Sequence, residues 1–527
     1  MDEAIALLLK SQAEQIRQLT DVNVQQADEL KKVRQQITHL LAQIAWFSRQ
    51  FVGRKSEKLA YLDPNQLTIF DGLEVEQERL EAIEAAREKA ETQIVKSTSQ
   101  TNTAKTVRNN RQLLDKLPVV QVVVEPEGVD LDRYKFMGNE YTRTIEHEPG
   151  KLYVKELVYP KYGLKSNTDF PSEGESGVIM AQRVLTPIYK GLPGASLLAE
   201  ILLQKYEYHM PFYRQVRQFK HLGLDIPEST LNGWFKPVSE LLKPLYEVLK
   251  AEVFDSDYIQ VDETILPVIV KEIHKAAKKY LWTVRSVMKK MVFFHYDYGS
   301  RSTKTAKSLL GSYRGLLQSD GYKVYNAFKT SDVVILVACM AHIRRKFENA
   351  LKENKALAEF ALSQIQLLYR LERKADEENI SFEERAAMRN QYARPIFDSM
   401  EIWMEKTYPT LLPKSLTGNA IGYAYGLWDR MRRYLEDGRI KIDNNLIENA
   451  NRPIALSRKN FLFAGNHLAA ENTAVICSLL STCKEAGVNP REWLIDVLTK
   501  LPYYQQPGYT FELKELLPNY WQQTKVQ

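Results

Sequence analysis

Three carboxylates stand where a carboxylate is costly to keep. Asp262 lies in Ile259-Gln260-Val261-Asp262-Glu263-Thr264-Ile265-Leu266-Pro267-Val268, a run rich in Ile and Val that reads as a buried strand. An ionised acid inside a sheet needs a compensating partner, and a metal ion is one. Asp320, in Leu316-Leu317-Gln318-Ser319-Asp320-Gly321-Tyr322, and Glu448, in Asp443-Asn444-Asn445-Leu446-Ile447-Glu448-Asn449, have equally unusual neighbours. Each also has a plainer reading. Asp-Gly is an ordinary turn dipeptide, and Asp262 beside Glu263 could be the polar end of a strand. Asn445 could cap a helix, with Glu448 three residues on and Arg452 one turn later. Period-two alternation sends Asp262 and Glu263 to opposite faces, so at most one of them can face a common metal.

The elements that must position these groups are legible around them. A strand over 258–269 is followed by a basic turn (Lys271, Lys275, Lys278, Lys279) and by two further strand patterns, Tyr280 to Ser286 and Met291 to Tyr296. A helix from about Ser302 to Gly311, a strand ending at Asp320 and an apolar strand from Val333 to Ala338 come next. Three strands joined as hairpins, then a helix crossing to further strands, is the order of a ribonuclease-H-like sheet with helices on both faces. Such a sheet sets acids of its first and fourth strands side by side, the places of Asp262 and Asp320.

The 527-residue chain is too long for one ordinary core and predicts several units. A mean hydropathy of -0.37, no uncharged apolar run of membrane-spanning length and a start lacking a basic leader predict a cytoplasmic protein with no membrane partner. Cys339, Cys477 and Cys483 are too few and too scattered for a disulfide framework or a four-cysteine zinc site, and read as buried thiols. The net charge of +6 is modest for this length, so a case for nucleic acid rests on where Lys and Arg cluster.

Residues 1–52 carry a heptad seam, with Leu9, Ile16, Asn23, Leu30, Ile37 and Ile44 at one core position. This predicts a coiled coil whose single core Asn fixes register, and a homodimer or higher oligomer through residues 1–50. Residues 53–110 read as a helical stretch and flexible linker, and 111–170 as a small β-rich module without cysteine. Residues 171–250 read as a helical unit of helix-turn-helix outline, with Ser229 or Thr230 at the second N-cap. Arg214, Arg217 and Lys220 fall on one helical face there and are candidates for a DNA backbone, though a solvated face looks the same. Residues 471–527 form a C-terminal helical region.

Taken in order, several motifs resemble one family. They are Gly53-Arg54-Lys55-Ser56-Glu57-Lys58-Leu59, Leu192-Pro193-Gly194, Val261-Asp262-Glu263-Thr264, Ser319-Asp320-Gly321-Tyr322 and Cys339-Met340-Ala341-His342-Ile343-Arg344-Arg345-Lys346-Phe347. The run from Ile442 to Pro453 and the run from Arg458 to Gly465 complete the set. Together they are similar to the insertion-sequence sixty-six family of bacterial transposases. The resemblance implies a DDE transposase that cleaves and transfers DNA strands, with Asp262, Asp320 and Glu448 as catalytic, metal-binding carboxylates. It implies two Mg2+ ions, about 3.5 to 4 Å apart in such sites, with Mn2+ as a substitute. Double-stranded DNA, as element ends and target, is the implied partner, accessory proteins of the same element are candidates, and the location would be nucleoid-associated. His342, Arg344, Arg345 and Lys346 would lie by the site, and Arg452, Arg458 and Lys459 would contact the strand being cut. The expected fold is multidomain and mostly α: an α/β ribonuclease-H-like catalytic core over 251–470, a helical insertion at about 347–435 and an N-terminal coiled coil. One departure is that residues 111–170 hold no cysteine where the family commonly has a zinc-finger-like module. The alternative of another class is a non-catalytic DNA-binding regulator derived from a transposase.

Overall fold

The computed structural model describes residues 117–126, 134–148, 150–164, 178–504, 506 and 512–521. The heptad segment, the basic cluster at 53–59 and the linker to residue 110 lie outside the described residues. Within them the chain is mixed α/β, with thirteen α-helices and two sheets.

The first sheet holds β1 (Val119–Val123), β2 (Tyr134–Glu148), β3 (Lys151–Leu164) and β4 (Val178–Met180). β2 and β3 form the long hairpin that their alternating Val and Tyr residues predict. β1 departs from the hairpin expectation because it runs parallel to β3, Val119 beside Val154, with β3 lying between it and β2.

Three helices follow: α1 (Ala195–Tyr206), α2 (Phe212–His221) and α3 (Glu228–Phe254). The helix-turn-helix expectation of two short helices meets a second helix of 27 residues with Pro237 and Pro244 inside it. Pro227 stands at the N-cap, which places Ser229 and Thr230 within the first turn instead of at the cap. The length of α3 has a packing reason. Tyr246 stacks on Phe293 at 4.8 Å and donates to the Phe294 carbonyl at 2.9 Å, so the helix lies along the central sheet.

That sheet contains β5 (Tyr258–Val270), β6 (Lys275–Ser286), β7 (Met291–His295), β8 (Gly315–Gln318) and β9 (Val334–Val337). Its order is β7-β6-β5-β8-β9. β5, β6 and β7 are antiparallel neighbours, whereas β5, β8 and β9 run parallel, with α4 (Thr303–Leu310) in the crossover. The fourth strand stops at Gln318, two residues short of the sequence expectation. Gly321 at φ +82° turns the chain there, and a Cβ at that position would lie 2.6 Å from Leu427 Cδ1.

α5 (Met340–Ala350) leads from β9 into a helical block: α6 (Lys355–Glu377), α7 (Phe382–Met388), a π-helical turn at Arg389–Ala393, α8 (Arg394–Thr407), α9 (Leu416–Gly426) and α10 (Trp428–Arg432). Ile365, Leu368, Phe397, Met400 and Trp428 belong to a cluster distinct from the one beneath β6 and β7. The chain returns to the sheet as α11 (Asn445–Phe461), then α12 (His467–Ala486) and α13 (Pro490–Tyr504). α12 covers the open edge of β7 with hydroxyls one turn apart. Thr482 accepts from the Val292 N–H at 3.1 Å and Ser478 from that of Phe294 at 2.8 Å. All three cysteines are buried. Among the described residues, no helix is long and apolar enough to cross a membrane.

Candidate active site

Asp262 and Asp320 reach one neighbourhood through strand register. Gln260 pairs with Gln318 across the parallel β5–β8 ladder, and each aspartate comes two residues later. Glu448 comes from a separate element, in the first turn of α11. Asn445 is the first helical residue and not the cap, because Asn444 holds that place and Asn445 Nδ2 instead donates to Asp443 at 2.8 Å.

Buried amides lock these three elements together. Gln318 Oε1 accepts from the Tyr258 hydroxyl at 2.5 Å and from Gln260 Nε2 at 2.8 Å. Gln318 Nε2 donates to the carbonyls of Ala338 at 3.0 Å and Lys441 at 2.8 Å, and Gln260 Oε1 accepts from the Ile447 N–H at 3.2 Å. The segment entering α11 is thus tied to β5 and β8, which sets where Glu448 begins its helix. Gln318→Leu removes the donor to those carbonyls and the acceptor of the buried Tyr258 hydroxyl, at about 1–3 kcal/mol for each stranded group. Urea unfolding should show a loss of about 2 kcal/mol or more, and an unchanged midpoint would contradict this role.

Asp262 pairs across the ladder with Thr283, and Asn451 bridges the two. Thr283 Oγ1 donates to Asn451 Oδ1 at 2.5 Å, and Asn451 Nδ2 donates to Asp262 Oδ2 at 2.8 Å. Glu263 pairs with Trp282 and turns to the other face, where it meets Arg301 and Tyr325. Burial, then the charges of Glu263, Asp320 and Glu448, push the Asp262 carboxyl up to about 7. Asp320 Oδ1 accepts from the Tyr322 N–H at 2.8 Å, and its carbonyl accepts from the Tyr423 hydroxyl. Glu448 faces His342 Nε2 at 3.6 Å and Arg345 Nη2 at 4.0 Å.

A divalent cation suits this donor set. Carboxylate oxygens are the hard ligands that Mg2+ and Mn2+ prefer, and the burial and mutual repulsion that raise Asp262 are what a cation would offset. Among the described residues no three His, Cys, Asp or Glu side chains are drawn together as a ready cage. Each acid is instead engaged by its own neighbour: Asn451, the Tyr322 amide, or the His342 and Arg345 pair.

The basic candidates divide. His342, Arg345 and Lys346 lie on α5 beside the acids; the His342 ring is mostly buried, and its Nδ1 has no hydrogen-bond partner. Arg344 is engaged with Glu348 at 2.9 Å along its own helix. Lys346 sits over the Tyr423 ring at 5.4 Å and, with Tyr408 and Asn419, lines a cleft of about 610 Å3. Arg452 and Lys459 are exposed on α11, and Arg458 is half-buried. Arg214, Arg217 and Lys220 are exposed together on α2, away from its buried Phe212, Gln215 and Phe219. Sequence reasoning missed Asn451, Gln260, Gln318 and Arg301. Asn451 had a signal, since Glu448 and Asn451 are three residues apart and share a helix face.

Comparison with known proteins covers most of the chain. Residues 190–472 match the family described as Transposase IS66 family, 39–122 match Transposase C of IS166 homeodomain, and 478–518 match the IS66 C-terminal element. Two proteins of Sinorhizobium fredii are similar along nearly their whole length. Uncharacterized protein y4hP is 29% identical over 93% of this chain and 90% of its own, and Uncharacterized protein y4jD is 27% identical over 94% and 97%.

Proposed function

Because the chain belongs to the IS66 family of transposases, we propose that it cuts and joins DNA strands at the ends of a mobile element through Asp262, Asp320 and Glu448. The observation that carries this reading is the shared register of the elements that bear the acids. Two aspartates stand at equal offset on adjacent parallel strands, and a glutamate on a helix is bound to the same strands by buried amides. Strand order and direction in the central sheet support a ribonuclease-H-like core, with residues 347–435 as a helical insertion. The heptad seam supports a coiled-coil assembly through residues 1–50, and the long β2–β3 hairpin supports a β module at 111–170 that holds no cysteine.

Asp262, Asp320 and Glu448 would hold the divalent cations, Mg2+ in this reading. When bound, these ions lower the pKa of water or a 3' hydroxyl and stabilise the leaving oxygen of the phosphodiester. The chain's own residues do the rest. Asn451 fixes the Asp262 carboxylate against Thr283, and Tyr423 and the Tyr322 amide hold the turn that carries Asp320. His342 and Arg345 restrain Glu448, and Arg345 and Lys346 offer charge to the DNA backbone. Arg452, Arg458 and Lys459 on α11, and Arg214, Arg217 and Lys220 on α2, extend that basic surface. The test is nicking of duplex DNA carrying the element ends, with Mg2+ or Mn2+ supplied. Cleavage that persists in chelator would sink the reading. Asn451→Ala should slow nicking about 10- to 100-fold, the usual effect of freeing a ligand from its support, without changing the melting temperature by more than a few degrees. A wild-type rate would show that Asp262 needs no such support.

A further inference from the structure

Glu263 is a fully buried carboxylate that the three-acid site does not use. Its side chain is 0% exposed, yet it is completely engaged. Arg301 Nε and Nη2 both donate to Oε2, at 3.1 and 2.9 Å, and the Tyr325 hydroxyl donates to Oε1 at 2.7 Å. The Arg301 guanidinium lies 3.9 Å from the centre of the Tyr322 ring and 5.2 Å from that of Tyr280. Tyr322 is the residue whose N–H holds Asp320, so one residue contacts both Arg301 and Asp320. Asp320 is near enough that its charge, after that of Glu263, helps hold the guanidinium in its charged form against burial.

The loop carrying Arg301 is fixed. Trp282 Nε1 donates to the Ser300 carbonyl at 2.9 Å, the Thr305 hydroxyl donates to Asp297 at 2.8 Å, and Ser302 caps α4. Gly299 sits at φ +71°, where a Cβ would lie 2.3 Å from Lys279 Cβ. A buried ion pair is a poor way to gain stability, because apolar residues of similar volume serve as well or better. It is a good way to orient a guanidinium. Glu263 takes the Nε and Nη2 edge and Tyr322 takes one face, and neither of the Glu263 bonds uses Nη1. The side chain remains 31% exposed. What a preset guanidinium on a partly exposed side chain recognises is a planar or tetrahedral oxyanion.

We propose that Arg301 binds a backbone phosphate of the DNA strand entering the site, with Glu263 as the positioning residue that aims it. This rests on the reading of the chain as a DNA-cutting enzyme. It gives Glu263 a task separate from that of Asp262 next to it, on the opposite face of the same strand.

The test is equilibrium binding of the full-length protein to a labelled mixed-sequence duplex in EDTA, at several salt concentrations, with thermal unfolding alongside. Arg301→Gln should make the slope of log affinity against log salt shallower by about one, as expected for one lost phosphate contact. Glu263→Gln keeps the charge at 301. It should keep the slope and bind about tenfold more weakly, the cost of one misaimed charge-assisted hydrogen bond. A purely structural role would lower melting temperatures and leave the slope alone, and folded Arg301→Gln with wild-type slope and affinity overturns the proposal. If that variant does not fold, Arg301→Lys decides: a wild-type slope with about tenfold weaker binding supports the fork, and wild-type affinity rejects it. Chelated binding is independent of cleavage. A shallower slope in a protein that never nicks DNA would refute the enzyme reading alone, and an unchanged slope in one that does would refute this inference alone.

Discussion

Alanine at Asp262, Asp320 or Glu448, each replaced singly, should lower metal-dependent strand cleavage by about a thousandfold or more, equivalent to roughly 4 kcal/mol of transition-state stabilisation. The three losses should be alike, and the double variants little worse than the singles, because groups that act as a unit are not additive. Duplex binding in chelator should survive in all three. Stability supplies an independent sign. The Asp262 carboxyl is raised in the folded protein, first by burial and then by Glu263, Asp320 and Glu448. Its ionisation therefore costs folding free energy, and that cost grows as pH rises from the ordinary carboxylate range toward about 7. Asp262→Asn should accordingly melt higher than wild type at pH 8 while losing cleavage. An acid serving the fold would do the reverse. Full nicking in any one alanine variant would remove that residue from the site.

The strand that bears Asp262 and Glu263 was legible in the sequence, and the side chains that support them were not. Period-two alternation already separated Asp262 from Glu263, and the ladder puts them opposite Thr283 and Trp282, which have different partners. The succession of strands and the helix over 258–338 was also readable, because each run is bounded by its own turn residues. Gln260 and Gln318 were not. Each is a polar residue in an apolar strand, and nothing local says that its partners lie from 20 to 187 residues away. The same holds for Arg301, whose partner Glu263 precedes it by 38 residues. Local signals misled at boundaries. Ser229 and Thr230 are good caps by type, but Pro227 begins the helix, and packing on Phe293 carries α3 through two prolines. β1 reads as one more hairpin strand because alternation gives a strand its face without its direction.

Glu372→Ala should be the most destabilising single change in the helical block, at about 3–5 kcal/mol. Glu372 lies on α6 with almost no exposure and accepts from Arg385 Nη1 at 2.9 Å, from Arg389 Nε at 2.9 Å and Nη2 at 2.8 Å, and from the Tyr434 hydroxyl. Arg389 is 0% exposed, stacks on Tyr434 at 3.9 Å and donates to the carbonyls of Tyr434 at 3.0 Å and Asp437 at 2.9 Å. Without the carboxylate, the buried Arg389 guanidinium loses its counter-charge and Arg385 is left with Asp376 alone, and a melting temperature lower by roughly 10 °C follows for a cooperative unit of this size. Burial would raise the Glu372 carboxyl, but the bonds and charge of Arg389, with Tyr434 and Arg385, outweigh it and hold it below the usual range. A lowered folded value means that the stabilisation is fully present above the unfolded value of 4.5 and is lost as pH falls through the folded one. Wild type should therefore lose stability on acidification below about 4.5, with a steeper limb than Glu372→Ala. The effect should extend to cleavage. Arg389 fixes the carbonyls of Tyr434 and Asp437, and the chain runs from there through Ile440 and Ile442 to the start of α11 and Glu448. Nicking by Glu372→Ala should fail at temperatures where its central sheet is still folded by circular dichroism. A variant that nicks normally up to the wild-type melting temperature would show that the block and the Glu448 helix are not coupled in this way.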